Sequence, residues 1–243
     1  MKAAYNADLA YIHDAGFGHL AETAAPMVLE ALEQAGLSGG TVVDLGCGSG
    51  ITAQIVQDAG FDAFGIDVSS ALIAIAQQRV PNGTFRVGSF VDADIPPCVA
   101  VTAIGEVLNY GFDNANGAAA RSQLFERVYA ALAPGGLLLF DVATPDRAPD
   151  GPQKTFVETP DWAVLVEAEA DADKQILTRR ITTFRAQGEL YRRDREIHRL
   201  HLLNPVEITA TLQQIGFQVQ TVSHYGSLPL PRGLIGFLAQ KPA

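Results

Sequence analysis

In Asp44-Leu45-Gly46-Cys47-Gly48-Ser49-Gly50 a carboxylate precedes three glycines at alternate positions, directly after the apolar run Thr41-Val42-Val43. Glycine lets a backbone turn tightly and approach a ligand at dihedrals that a Cβ makes costly. At the end of a buried strand, such a turn can receive a nucleotide-like cofactor, and its spacing decides which one. A dinucleotide fingerprint needs Gly-x-Gly-x-x-Gly, but here the third glycine falls one residue early and Ile51 stands in its place. The lysine of a phosphate-cradling loop is also missing.

Further residues of chemical interest follow. Ala63-Phe64-Gly65-Ile66-Asp67-Val68-Ser69 reads as a second strand ending in a carboxylate, and Asp67 could accept both hydroxyls of a ribose. Gly105-Glu106-Val107-Leu108-Asn109-Tyr110 follows a fourth apolar run, at the point where an open α/β sheet binds its ligands. Glu196 and His198 share one face of a strand-like stretch with Arg192 and Asp194, because residues two apart point the same way. If that face looks into a cleft, His198, Glu196 and Tyr110 are candidates for taking a proton from a substrate.

The elements that must position these groups alternate between strand and helix, which implies a parallel sheet covered on both faces. Residues 1–40 read as a helical preface, with Ala25 to Ala35 as a helix ending at Gly36. Residues 41–152 hold five strands: 41–45, 63–68, Thr84 to Val87, Val99 to Ile104 and Leu137 to Val142. The helices between them span Ile51 to Ala59, the stretch from Ser69 or Ser70 to before Pro81, and Ala119 to Leu132, and Pro134-Gly135-Gly136 is a turn. Residues 153–203 are too long for an ordinary connection and contain three strand-like runs, Trp162 to Val166, Ile176 to Phe184 and Glu189 to His198. They predict an antiparallel lid. Residues 204–243 supply a last helix, Asn204 to Ile215, and two more strands, Gly216 to Val222 and Leu234 to Gln240.

Composition narrows the function classes. A chain of 243 residues with 48% hydrophobic content can fill one α/β domain. Its net charge of −10 argues against a nucleic-acid partner. No apolar run approaches the roughly 20 residues of a membrane span, and the opening residues lack the apolar core of a secretory signal, so a cytoplasmic location without membrane attachment is expected. Cys47 and Cys98 are the only cysteines, too few for a cysteine-based zinc site. Seven arginines between Arg179 and Arg199 form a local exception to the acidity, either a solvated ionic face or an attraction for an acidic substrate.

Together, Asp44-x-Gly46-x-Gly48-x-Gly50, the strand ending at Asp67 and the junction Leu132-Ala133-Pro134-Gly135-Gly136-Leu137 closely resemble class I S-adenosylmethionine-dependent methyltransferases. The resemblance is firm over residues 41–142 and looser beyond. It implies a Rossmann-like sheet of seven mostly parallel strands with helices on both faces, the last strand antiparallel beside the fifth, plus the small antiparallel insertion. It also implies a single domain that transfers a methyl group to nitrogen or oxygen of a small-molecule acceptor and releases S-adenosylhomocysteine. The cofactor residues it implies are Asp44, Gly46, Cys47, Gly48, Asp67, Val68, Ser89, Phe90, Glu106 and Asn109. Tyr110 is placed near the acceptor, and Tyr5, Tyr11 and His13 of the preface could close over the bound cofactor. Tyr225 corresponds to a position that contacts substrate.

Departures from relatives are informative too. Methyltransferases acting on nucleic-acid bases carry two prolines after the fourth strand, and this segment has none. The metal-dependent catechol type has an Asp-Asn pair after the fifth strand where this chain has Asp141-Val142, so no metal is expected. The insertion could wall the acceptor pocket, form a homodimer surface, or both. A cofactor-binding protein without turnover, and a non-methylating transferase using a related sulfonium, are the alternative functions.

Overall fold

The computed structural model describes residues 4–113 and 115–243, so residues 1–3 of the expected preface lie outside it. Two helices come first, α1 (Ala7–Gly16) and α2 (His19–Gln34). Then follow β1 (Thr41–Leu45), α3 (Ile51–Asp58), β2 (Asp62–Asp67), α4 (Ser70–Arg79), β3 (Thr84–Val87), β4 (Cys98–Ala103), α5 (Ala118–Ala131) and β5 (Leu132–Ala143). The insertion contributes β6 (Gln153–Glu158), β7 (Trp162–Asp171), β8 (Ile176–Gln187) and β9 (Leu190–His201). The chain closes with α6 (Pro205–Ile215), β10 (Gln218–Val222), β11 (His224–Tyr225), β12 (Leu228–Pro229) and β13 (Leu234–Gln240).

Local chemistry sets these boundaries. The Ser69 side chain accepts the Leu72 N–H at 3.1 Å and caps α4. Asn204 does the same for α6 through Val206 N–H at 3.0 Å, with Pro205 in the first turn, where its missing N–H costs nothing. Helix α2 starts six residues before the expected Ala25 and runs through Pro26. Burial of Ala24, Ala25, Val28 and Leu32 outweighs the local cost of the proline.

Seven strands form one sheet in the order β3-β2-β1-β4-β5-β13-β10. All pairs from β3 to β5 are parallel, and β13 runs antiparallel between β5 and β10, as the resemblance implies. The order reverses between β1 and β4, where Asp44 is opposite Thr102, so the carboxyl ends of β1, β2 and β4 meet at one edge. One face of the sheet packs Val43, Val101, Leu138 and Phe140 against α5 and α6 residues such as Leu124, Val128 and Leu212. The other packs Val42, Ala100, Leu137 and Leu139 against Val28 and Leu32 of α2 and Val56 of α3. The expected Pro134-Gly135-Gly136 turn lies inside β5, where pairing shifts from Leu132 opposite Cys98 to Leu137 opposite Ala100. A Cβ at Gly136 would meet the Val99 carbonyl oxygen at 2.7 Å, so only glycine fits that approach.

The insertion is a four-stranded antiparallel sheet, β6-β7-β8-β9, one strand more than anticipated. Its inner face buries Trp162, Val164 and Ile181 against Leu9 and Ile12 of α1. No helix among the described residues is long and apolar enough to cross a membrane.

Candidate active site

A cleft opens at the carboxyl ends of β1, β2 and β4 and encloses about 1070 Å³, its mouth included. Its floor is the glycine turn, Asp44 and Gly46 through Ser49. One wall holds Asp67, Val68, Ser89 and Phe90. The other holds Ile104, Gly105, Val107, Tyr110 and Phe112, and Tyr5, His13 and Phe17 from the chain start form the roof.

Asp67 is buried, with Oδ2 accepting the Gly48 N–H at 3.0 Å and Oδ1 the Ser69 N–H at 2.8 Å. These two bonds point its carboxylate along the glycine turn. Asp44 accepts the Thr102 hydroxyl at 2.6 Å, and burial pushes its carboxyl up to about 7. Burial likewise raises Asp67, against the two backbone donors that favour its charge. Burial lowers His13 to about 4, so its ring is neutral at pH 7. Among the described residues no lysine or arginine lines the cleft.

Two glycines of the turn differ. A Cβ on Gly46 would meet Val107 Cγ2 at 2.6 Å, whereas one on Gly48 would enter open space with nothing within 4 Å. The first glycine admits its neighbour, and the second leaves room for a ligand.

Tyr5 is fastened on three sides. Its N–H donates to Glu196 at 2.8 Å, its carbonyl accepts the Ser69 hydroxyl at 2.7 Å, and its hydroxyl is 2.9 Å from that of Tyr110. Glu196 also accepts the Asn6 N–H at 2.7 Å and pairs with His198 Nε2 at 2.9 Å. His198 is buried, with its ring centroid 4.9 Å from those of both Tyr5 and Phe112 and its Nδ1 without a partner.

Behind the β4 wall, Asp141 accepts the N–H groups of Gly105 at 2.9 Å and Glu106 at 2.6 Å and the Tyr225 hydroxyl at 3.1 Å. Glu106, held there at φ 64°, turns its carboxylate away to Arg179 at 2.5 and 3.0 Å and Arg147 at 3.1 Å. Burial would raise this carboxyl, but the two guanidinium groups hold it below its usual range.

Of the residues singled out in the sequence, Asp44, Gly46, Cys47, Gly48, Asp67, Val68, Ser89, Phe90 and Tyr110 line the cleft. Glu106 does not, being the partner of two arginines. Asn109 is fully buried and ties β5 to β9 through the Ala143 N–H and carbonyl and the His201 carbonyl. Tyr11 faces away from the cleft, donating to Asp161 at 2.7 Å with the Arg185 guanidinium 3.8 Å from its ring. Tyr225 is a core residue, not a substrate contact. Glu196 and His198 form a layer behind Tyr5, Tyr110 and Phe112 rather than the cleft surface. Their strand face meets the chain start instead of an open cleft, since Arg192 pairs with Asp8 and Asp194 with Asn6. Of the remaining arginines, Arg180 pairs with Glu169 and Arg185 with Asp8, Arg193, Arg195 and Arg199 are exposed, and none of them lines the cleft. The sequence reading did not single out Phe17 or Phe112 for the site, since an isolated aromatic carries no spacing signal.

The sequence pattern of the methyltransferase domain matches residues 17–222. The chain belongs to the methyltransferase domain family. It is an S-adenosylmethionine-dependent enzyme, with S-adenosylhomocysteine as product. This methyltransferase is 26% identical over 189 residues to the putative methyltransferase YqeM of Bacillus subtilis, covering 76% of each chain. It is 32% identical over 133 residues to trans-aconitate 2-methyltransferase of Paracidovorax citrulli, covering 54% of this chain and 48% of that one. Its fold is shared with an S-adenosylmethionine-dependent methyltransferase of Clostridium acetobutylicum, with TM-score 0.81 at 16% identity, covering 96% of this chain and 98% of that one. The sugar N-methyltransferase KedS8 of Streptoalloteichus is similar, with TM-score 0.76 at 19% identity over 100% of this chain and 96% of that one. The cleft fits the cofactor on its own terms, with an open space above Gly48, a buried carboxylate at the end of β2 and apolar side chains on either side.

Proposed function

We propose that this methyltransferase acts on the amine nitrogen of a small molecule, with Asp44, Gly46, Cys47, Gly48, Asp67, Val68, Ser89 and Phe90 holding the cofactor and Tyr5, Tyr110 and Phe112 holding the acceptor. The observation that carries this reading is the acceptor side of the cleft, which has the aromatic rings of Tyr5, Tyr110 and Phe112, the Asp113 carboxylate, a neutral His13 and, among the described residues that line it, no lysine or arginine. Such a surface favours cations and amines over anionic acceptors, because aromatic faces and carboxylates both attract positive charge.

Bound S-adenosylmethionine supplies an electrophilic methyl group on a sulfonium. The protein's part is positioning, which can account for much of the acceleration of a bimolecular step. Each Asp67 oxygen, after its backbone bond, keeps a lone pair for a ribose hydroxyl. Val68, Ser89 and Phe90 form the wall for the adenine. Asp44 and Asp67 make the cleft negative, so a positive ligand offsets the burial penalty on both. Tyr5 and Tyr110 present their paired hydroxyls to the acceptor. His198 and Glu196 act as positioning residues, holding Tyr5 and the chain start in place over the cleft. The fold shared with a sugar N-methyltransferase is consistent with an amine acceptor.

The test is release of S-adenosylhomocysteine from the purified protein with a panel of small amines, alcohols and carboxylic acids, read by mass spectrometry of the acceptor. Turnover confined to amines is expected, and turnover confined to carboxylic acids would overturn the acceptor assignment.

A further inference from the structure

The insertion sheet has two edges of different character. Along β9 the edge is partly covered, with Tyr110 bridged to Leu200 and the Gly111 N–H donating to the Arg199 carbonyl at 2.8 Å. The β6 edge is bare, and every residue from Gln153 to Glu158 is exposed. Phe156, at its middle, is 73% exposed, and its register neighbour Leu165 on β7 is 43% exposed. A bare edge carrying exposed apolar side chains is a template for another strand.

The side chains on this edge read the same way from both ends. Lys154, Phe156 and Glu158 alternate onto the outer face of the sheet, since Phe156 is opposite the exposed Leu165 and Lys154 opposite Glu167. An antiparallel copy centred on Phe156 sets each Phe156 against the other and each Lys154 opposite the second copy's Glu158. Shifting the centre by half a residue sets Lys154 opposite Val157 and loses both ion pairs. Lys154 is already 3.0 Å from Glu167 of its own chain, whereas Glu158 forms no salt bridge among the described residues. The copy's Lys154 would complete it. Directly opposed charges and aromatic pairs are what stabilise an antiparallel strand pair.

We propose that β6 pairs with β6 of a second copy of this chain, joining the two insertions into one continuous eight-stranded antiparallel sheet about a two-fold axis. The axis passes between the two Phe156 residues, so the contact is isologous and closes at two copies. One strand pair buries less than a large obligate interface, so the dimer exchanges with monomer. The clefts lie on the other side of the insertion, against α1, and remain open in the dimer.

Sedimentation velocity across a concentration series tests this. The wild-type chain should approach twice its 25.8 kDa mass as concentration rises. Lys154→Glu, which sets two glutamates in opposition, and Phe156→Asp should each remain monomeric while keeping cofactor affinity and turnover. The double reversal Lys154→Glu with Glu158→Lys should dimerise again. A wild-type chain that stays monomeric throughout, a dimer unaffected by Lys154→Glu, or a double reversal that fails to re-form it would overturn the proposal.

Discussion

Glu196, on the last strand of the insertion, accepts the backbone N–H of Tyr5 at 2.8 Å and so binds the chain start to the far side of the cleft. The same carboxylate holds Asn6 and His198. Glu196→Ala should leave these partners unsatisfied and lower stability by about 1–3 kcal/mol. Because Tyr5 roofs the cleft, dissociation of S-adenosylhomocysteine should also accelerate, by about tenfold if the roof gate is loosened by about 1.4 kcal/mol. Thermal unfolding and stopped-flow fluorescence read the two effects separately. An unchanged dissociation rate in a destabilised variant would reduce Glu196 to a purely structural role.

The two glycines of the turn should separate folding from binding. Gly46→Ala drives a methyl group into Val107 and should destabilise the apo protein by about 1–3 kcal/mol. Gly46 and Gly48 are both left-handed, at φ 66° and 53°, so both variants carry backbone strain. The Gly48→Val side chain meets no neighbour, however, and this variant should lose most cofactor affinity because that side chain enters the open cleft. Calorimetry with S-adenosylhomocysteine beside thermal melts checks the pair, and equal behaviour of the two variants would contradict it.

Asp67→Ala should weaken S-adenosylmethionine binding by about 1.5–3 kcal/mol, the range for a hydrogen bond to a charged group. NADH should not compete, since the turn offers its pyrophosphate no third glycine in register. Isothermal titration decides both, and retained affinity in a folded Asp67→Ala protein would remove Asp67 from the cofactor site.

Asp44 predicts a pH dependence. Its folded carboxyl lies near 7 because it is buried, against 3.8 when free. Between about pH 4 and about pH 7 the folded chain keeps a proton that the unfolded chain has released, so its contribution to stability falls as pH rises through that window, by at most about 4 kcal/mol. Asp44→Asn should flatten this part of the stability profile of the apo protein. The sulfonium favours the ionised carboxylate, so wild-type affinity for S-adenosylmethionine should rise as pH passes through 7, while affinity of Asp44→Asn should stay low and level. Chemical denaturation and titrations from pH 5 to 9 provide the comparison.

The parallel half of the sheet was legible because each strand carried its own punctuation, such as the glycine turn after Leu45, the cap at Ser69 and the break before Pro81. Strand β6 carries no such punctuation. Gln153-Lys154-Thr155-Phe156-Val157-Glu158 buries neither face, so it has no alternation of polar and apolar residues to announce it. At the site, Asp44, Gly48 and Asp67 were visible because one short stretch of chain fixes each position. Tyr11, Glu106 and Asn109 lie outside the cleft lining because their partners, Asp161, Arg179 and Ala143, are distant in sequence and meet them only when the chain is folded. Glu196 and Tyr5, 191 positions apart, show the same limit.

Strand β13 lies between β5 and β10 and pairs with both, although it is made after either. While the chain emerges from the ribosome, β5 is therefore complete long before the strand that covers its edge. That edge carries Leu137, Leu138, Leu139 and Phe140, and it stays open to other chains until Leu234–Gln240 arrives. Any nascent chain stalled before residue 234 would have a formed cofactor turn beside an adhesive sheet edge. Aggregation of an incomplete chain should therefore start at β5 rather than at the glycine turn.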